Sequence, residues 1–333
     1  IGLKSKEKFS KNQVEFLKNN VRISVIGKFF LLVPLFVKLF KFRTAKFLYF
    51  RDSHISFLVY FSSKLFGNSI IYEHHGFSYK TNIQRGYKIR SKITEYLEHS
   101  SLSIADEIVC ISSELYNGEL KKYKYKDVSI LPNGVDLSKY NKRKIKSGKG
   151  RPNYIVFTGK FYSGAYSEND LLNFVNYCKT NVKLIIACHK KDLNIYRKKY
   201  PKIIFTGLLS HNKVISLLEK ASIGLLPYND TMRFTRSPRK SQEYLASGLP
   251  IICSNVSTGR ESFLVENENI ILYDFNNPKD LASKVDYMIS NVSLRDRMSK
   301  NNLNLSKKLS WKKMVSRSKL LSKLLDYGVE TNE

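Results

Sequence analysis

Short apolar runs alternate with amphipathic segments along most of the chain. The runs are rich in branched and aromatic side chains and lie at 46–50, 69–73, 107–111, 128–132, 154–158, 182–187, 202–206, 222–227, 250–254 and 269–273. Short apolar runs separated by helical segments are typical of parallel strands that are covered on both faces. The pattern therefore predicts a doubly wound α/β protein.

A polar segment divides this series of strands into two halves. Residues 138–153, SKYNKRKIKSGKGRPN, are basic and contain glycine and proline, which is typical of an interdomain linker. A chain of 333 residues is long enough for two domains. We expect two Rossmann-like domains, one over residues 1–140 and the other over 154–310. Residues 141–153 would form the linker between them, and residues 311–333 would form a terminal helix.

The cysteines indicate a reducing compartment. They stand far apart, three of them inside apolar runs, and suggest neither a zinc site nor a disulfide framework: Cys110, Cys178, Cys188 and Cys253. The chain begins at Ile1 and shows no signal peptide. We expect a cytoplasmic protein whose first domain is truncated at its start.

The formal net charge of +29 predicts an acidic partner. Nucleic acid is one candidate, although the sequence has no zinc-finger spacing and no ribonucleoprotein signature. An anionic membrane surface is the other, supported by residues 27–47, GKFFLLVPLFVKLFKFRTAKF, where lysines and arginine flank an apolar run too short to span a bilayer. An ordinary core helix would explain the same segment equally well.

A well-delimited helix follows in SPRKSQEYLASGLPIICSN, residues 237–255. Ser237 and Pro238 suit its first positions, and Gly248 suits its end. The spacing places Arg239, Lys240 and Glu243 on one face near the N-terminus, where anions are attracted. A solvated helix with an Arg239–Glu243 ion pair is the alternative interpretation.

Several segments resemble one family when taken together. LPNGVD (131–136), TGK (158–160), residues 206–228 and residues 237–252 are similar, in order and spacing, to the second half of family 4 glycosyltransferases of the GT-B fold. The resemblance covers about residues 45 to 325. It implies two Rossmann-like domains with a nucleotide-sugar cleft between them, and C-terminal helices that cross back to the first domain.

The resemblance also assigns roles to residues. It implies that Lys240 and Lys160 contact the donor diphosphate and that Glu243 contacts the ribose. His75 would face the donor sugar, with His74 as the alternative, and Thr235 replaces the first of two glutamates usual in the family. Further donor contacts would come from Gly159, Thr206, Gly207, Leu208, Ser237, Pro238 and Arg239. Arg51 and Asp52, which follow a predicted strand, are candidates for the acceptor side.

The expected function is sugar transfer from a UDP- or GDP-linked donor to a lipid-linked or surface-polysaccharide acceptor, such as capsule or O-antigen. The family implies retention of anomeric configuration. The sequence lacks an Asp-x-Asp motif, so we expect no metal and no cofactor. The enzyme would lie peripherally at the inner face of the membrane. The alternatives are a GT-B-fold sugar-nucleotide epimerase and a basic nucleic-acid-binding protein, although no specific nucleic acid is expected.

Overall fold

The structure is a computed structural model. It describes residues 22–23, 43–84, 86–123, 125, 127–140, 152–161, 165–188, 193–229, 239–256, 263–318 and 320. The chain forms two compact units. The first comprises the chain as far as Pro132 together with the stretch from Val315 onward, and the second comprises Asn133–Arg233 and Ser237–Met314.

A parallel sheet with strand order β1-β2-β3-β4-β5 forms the centre of the first unit. Its strands are Arg22–Ile23, Phe47–Phe50, Ser69–His74, Glu107–Cys110 and Val128–Ile130. The helices are α1 (Ser56–Phe66), α2 (Ser78–Gln84), α3 (Lys88–Ile104) and α4 (Ser113–Leu115), with 3-10 turns at Ser53–Ile55 and Lys121–Tyr123 and a π-helical turn at Tyr116–Leu120. Leu48, Phe50, Ile70, Tyr72 and Ile108 fill its core.

The second unit contains a parallel sheet of strand order β11-β10-β9-β6-β7-β8. Its strands are β6 (Tyr154–Thr158), β7 (Lys183–Ala187), β8 (Ile203–Phe205), β9 (Ile223–Leu226), β10 (Ile251–Ser254) and β11 (Ile270–Tyr273). The chain winds outward from β6 to β8 and then, from β9, in the opposite direction. The order therefore reverses between the neighbours β6 and β9, which makes this pair a topological switch point.

Helices connect strands of this sheet and follow its last strand. They are α5 (Glu168–Asn173), α6 (Leu193–Lys199), α7 (His211–Lys220), α8 (Arg239–Ala246), α9 (Pro278–Ser290), α10 (Val292–Lys308) and α11 (Trp311–Ser316), with 3-10 turns at Leu137–Lys139 and Phe174–Asn176. The central strands β9 and β10 are buried along their whole length. Burial on both faces explains why their sequences are continuous apolar runs rather than alternating ones.

The ten apolar runs all form strands at the expected places, which confirms the doubly wound α/β prediction. The apolar runs do not include the two-residue strand β1, which pairs in parallel with β2 through Arg22 and Tyr49. The boundary between the units follows Pro132 rather than residue 140. Residues 141–151 of the expected linker lie outside the described residues, as does most of the expected terminal helix beyond α11.

Candidate functional site

The switch point of the second sheet places a glycine and a lysine in contact. Strand β6 ends at Thr158, and Gly159 follows with a φ of +104°, a conformation that favours glycine. A Cβ atom on Gly159 would lie 2.9 Å from both Cε and Nζ of Lys240. Gly159 is therefore required for its backbone conformation and for the close approach of Lys240.

Aromatic side chains surround the Lys240 ammonium. Its Nζ donates a hydrogen bond to the Tyr166 hydroxyl at 2.7 Å. It also lies 4.3 Å from the centre of the Tyr166 ring and 5.3 Å from that of Phe157. Both rings are buried, so these cation–π contacts lie in a partly desolvated place where they are stronger than at an open surface.

Helix α8 holds Lys240 against this strand end through its buried face. Tyr244, one turn after Lys240, is fully buried and accepts a hydrogen bond from the Thr158 backbone N–H at 3.2 Å. Its ring packs over Gly224 of β9, where a Cβ atom would come within 2.6 Å of the ring. The helix ends at Ala246, and Gly248 follows with a φ of +57°, as the sequence predicts.

The Glu243 carboxylate lies beside the start of helix α7. Its Oε1 lies 3.2 Å from Nε2 of His211, the first residue of α7. Among the contacts of the described residues, Glu243 therefore pairs with His211 rather than with Arg239, which contradicts the i,i+4 alternative. Arg239 itself is exposed at the start of α8.

Three further predicted donor residues follow β8 directly. The Thr206 backbone N–H donates a hydrogen bond to the Ile186 carbonyl at 3.1 Å, which continues the pairing of β8 with β7. Gly207 has a φ of +78°, and the Leu208 side chain is exposed. Because strands β6 and β8 end at the same edge of a parallel sheet, these residues share an edge with Gly159 and Lys160. Lys160 is exposed there.

Two histidines end strand β3 of the first unit. His74 is fully buried, and neither ring nitrogen has a hydrogen-bond partner among the described residues. Burial, with the neighbouring His75 and His99, lowers the pKa of His74 to about 3, so it is neutral at pH 7. The half-buried His75 has its Nε2 2.6 Å from Oε1 of Glu73 and precedes Gly76, whose φ is +104°. His75 is therefore the more accessible of the two rings.

Arg51 and Asp52 follow strand β2, as predicted, and Arg51 is exposed. Asp52 accepts a hydrogen bond from the His54 backbone N–H at 3.0 Å and lies 2.8 Å from its Nδ1. Burial raises the pKa of Asp52, but the hydrogen bonds from His54 outweigh it and lower that pKa; the same pairing raises the pKa of His54. Asp52 thus also caps a 3-10 turn, Ser53–Ile55.

The second unit therefore brings together Gly159, Lys160 and Lys240 at one strand end and Glu243 on the same helix as Lys240. Ser237 and Pro238, and the segment 27–42 of the expected membrane-binding run, lie outside the described residues. Sequence reasoning missed Tyr166, Phe157 and His211, which position the predicted charged groups. Their only sequence signals were their places near strand ends, which many structural residues share.

An anion is the chemical species that this arrangement suits best. A lysine ammonium stands beside a strand end whose glycine exposes the backbone, and the first turn of helix α8 contributes its N-terminal dipole. Within the part of the chain that the structure describes, no group of three or more His, Cys, Asp or Glu side chains could hold a metal ion. Among the described helices, none is both long and apolar enough to cross a bilayer.

Parts of this chain are similar to known proteins. The family model described as Glycosyl transferases group 1 matches residues 139–304. An uncharacterised glycosyltransferase of Methanocaldococcus jannaschii is 27% identical over 214 residues, which cover 63% of this chain and 57% of that protein. The chain thus spans little more than half of that relative's length.

Solved structures share the fold. HepE of Anabaena in complex with UDP superposes with a TM-score of 0.68 at 12% identity, over 88% of this chain and 82% of that one. Sucrose-phosphate synthase of Thermosynechococcus elongatus superposes with a TM-score of 0.69 at 15% identity, over 91% and 80%. The chain has a GT-B fold of two Rossmann-like domains, and its residues 139–304 match the glycosyltransferase family model.

Proposed function

We propose that the protein transfers a sugar from a nucleotide-sugar donor to a glycan or lipid-linked acceptor. The observation that carries this proposal is the position of Lys240, whose ammonium lies against Gly159 at the switch point of the second sheet. Ligands of doubly wound folds bind at that place. A nucleoside diphosphate supplies the anion that a lysine and a helix N-terminus favour there.

The chemistry explains why a cation is needed. The bond between the anomeric carbon and the diphosphate oxygen breaks, so negative charge grows on the phosphate oxygens. In the proposed mechanism the Lys240 ammonium stabilises this charge, and Lys160 approaches the phosphates from the end of β6. The acceptor hydroxyl attacks the anomeric carbon, and its proton passes to a departing phosphate oxygen. With retention, attack and departure share one face of the sugar, so no protein nucleophile is required.

The remaining roles are proposed from the sequence resemblance together with the place of each side chain. Glu243, steadied by His211, would accept hydrogen bonds from the ribose hydroxyls. His75, whose ring is partly accessible and hydrogen-bonded to Glu73, would contact the donor sugar. We further propose that Arg51 and Asp52 line the acceptor side, and that the reaction needs no metal.

We also propose the donor nucleotide, the stereochemistry, the product and the membrane association. The HepE structures hold UDP and UDP-glucose, which favours a UDP-linked donor over a GDP-linked one. Family 4 membership, retention and a surface-polysaccharide product such as capsule or O-antigen rest on the sequence resemblance. The net charge of +29 supports peripheral binding to the anionic inner face of the membrane.

A donor panel tests the proposal. Thermal unfolding is measured with UDP-, GDP- and CMP-sugars, and the products of the stabilising donor are analysed with lipid-linked acceptors. We expect one nucleotide class to raise the unfolding temperature and its sugar to appear on the acceptor. A donor that is consumed to an epimer without any acceptor would replace transfer with epimerisation.

Lys240→Ala tests the central residue. We expect turnover to fall about 100-fold, roughly 3 kcal/mol of lost charge stabilisation in the transition state. Lys220→Ala, which removes an exposed lysine from the end of α7, is the matched control and should keep normal turnover. Activity of a folded Lys240→Ala protein within a few-fold of the unmodified protein would remove Lys240 from the site.

A further inference from the structure

Helix α3 of the first unit turns a polar face inward. Its buried side chains include Ser91, Thr94, Glu98 and Ser101. These groups are satisfied locally: Glu98 accepts a hydrogen bond from the Ser78 backbone N–H at 2.8 Å, and Thr94 accepts one from Asn82 at 3.1 Å. The packing of α3 on its own unit is therefore largely polar, which is the reverse of an ordinary surface helix.

The outward face of α3 is apolar instead. Ile89, Ile93 and Tyr96 are 79%, 56% and 73% exposed. Their spacing of four and three residues aligns them in one stripe, about 10 Å long at 1.5 Å per residue. An exposed stripe on a helix whose inward face is polar indicates that the stripe serves a partner rather than the core.

Cations flank this α3 stripe. Lys88, Arg90 and Lys92 are all exposed, and their helical positions place them on both sides of it. Of the two acids in the helix, Glu98 is buried on the opposite face and Glu95 is half-buried. The exposed surface around the stripe is therefore both apolar and positively charged.

We propose that the α3 stripe docks on an anionic bilayer surface. Ile89 and Ile93 would enter the boundary between headgroups and acyl chains, and Tyr96 would lie at headgroup level. The flanking cations would extend along the surface toward anionic headgroups. This inference deepens the membrane association proposed above and rests on it.

The charge pattern favours lipid over a second copy of the chain. A symmetric dimer through this stripe would bring Lys88, Arg90 and Lys92 of both copies to one interface. Like charges at an interface disfavour association, whereas an anionic bilayer satisfies all three cations and the apolar side chains together.

Vesicle flotation of the full chain tests the docking surface. Vesicles of phosphatidylglycerol mixed with phosphatidylcholine should bind the protein, and vesicles of phosphatidylcholine alone should bind it weakly. The triple variant Ile89→Ser, Ile93→Ser, Tyr96→Ser should bind the anionic vesicles at least about 10-fold more weakly. These side chains are exposed, so the variant should unfold at the same temperature as the unmodified protein.

A control of the same composition comes from the second unit. Ile195, Ile204 and Tyr287 are 64%, 45% and 53% exposed, and replacing all three with serine removes two isoleucines and a tyrosine elsewhere. We expect this variant to bind vesicles normally. Equal losses in both triple variants would mean that exposed apolar area matters and its place does not, which would overturn the proposal.

A second pair of variants tests the cations. Lys88→Ser, Arg90→Ser, Lys92→Ser should weaken binding at low salt, by about 5-fold for each cation near the surface, and should reduce its salt dependence. Lys198→Ser, Lys220→Ser, Lys308→Ser removes the same charge from exposed positions of the second unit and should have a smaller effect. Equal effects of the two variants would reduce the interaction to diffuse charge and overturn the α3 site.

Three other outcomes would also overturn it. The serine variant of the stripe could bind vesicles normally while Lys38→Ser, Lys41→Ser, Arg43→Ser abolishes binding, which would move docking to residues 27–47. Sedimentation could show a dimer that the stripe variant dissociates, or the stripe could be needed only for an acidic protein partner. Nucleotide-sugar binding is measured in parallel without lipid, so its failure would count against transfer and leave the docking result intact.

Discussion

The Lys240 ammonium is held by a hydroxyl and by the faces of two aromatic rings. This arrangement makes Tyr166 a positioning residue, because its hydroxyl accepts a hydrogen bond from Nζ at 2.7 Å and its ring lies 4.3 Å from the same atom. The hydroxyl fixes the direction of the ammonium, whereas the ring supplies attraction that is less directional.

Tyr166→Phe separates these two contributions. We expect turnover to fall about 10-fold, since a hydrogen bond with a charged partner contributes roughly 1.5 kcal/mol. In a Lys240→Ala background the same change should have little further effect, because the two residues act together. A similar loss in both backgrounds would indicate a purely structural role. Tyr196→Phe, which removes a hydroxyl bonded to Glu168 in the same unit, is the control.

Glu243→Ala tests the ribose contact. If the carboxylate binds ribose hydroxyls, the variant should bind the free nucleoside diphosphate and the nucleotide-sugar more weakly by similar factors, about 10-fold each. Calorimetry with both ligands measures this, and Glu266→Ala at an exposed position serves as the control. Normal binding of the nucleotide with altered discrimination among sugars would instead assign Glu243 to the sugar.

At the scale of elements, β9 and α8 depend on a glycine. Gly224 lies in a buried strand, and a Cβ atom there would come within 2.6 Å of the Tyr244 ring and 2.9 Å of Leu249. Tyr244 in turn connects α8 to the end of β6 through the Thr158 N–H. The packing that positions Lys240 therefore tolerates no side chain at residue 224.

Gly224→Ala should destabilise the second unit by about 1–3 kcal/mol, because a methyl group in a filled core forces its neighbours to move. Chemical denaturation measures the change. Gly118→Ala is the control, since the structure shows open space around that position and its neighbours are helical. An unchanged midpoint for Gly224→Ala would mean that Tyr244 can shift without cost, and the proposed link from β9 to Lys240 would fail.

The strands were predictable because buried parallel strands have a strong local signature, as in YIVFT of β6 and PIICS around β10. Strand β1 was not predicted from the sequence because its pairing covers only Arg22 and Ile23. The positioning residues Tyr166 and His211 were not predicted for a different reason. Tyr166 is 74 residues from Lys240 and His211 is 32 residues from Glu243, so only the tertiary fold brings them together.

At the scale of the whole molecule, net charge allows two kinds of acidic partner that the fold does not distinguish. Nucleic acid attracts any protein with a formal charge of +29, independently of a specific site. The cations of the α3 stripe accompany apolar side chains, which suits a bilayer better than a phosphodiester backbone. Binding to nucleic acid and binding to a bilayer therefore differ in two respects. Specific nucleic-acid binding depends on the base sequence, whereas binding to a bilayer depends on the apolar side chains of the α3 stripe.

The last prediction uses this difference. We expect oligonucleotides to bind weakly and to lose at least about 100-fold in affinity between about 50 and 200 mM salt, because the attraction is mainly release of counterions. Two duplexes of equal length and unrelated sequence should bind alike, and the serine variant of Ile89, Ile93 and Tyr96 should bind both normally while losing its affinity for vesicles. Fluorescence anisotropy measures the affinities. Tight binding that distinguishes one duplex from the other by about 1000-fold would establish a nucleic-acid-binding protein instead.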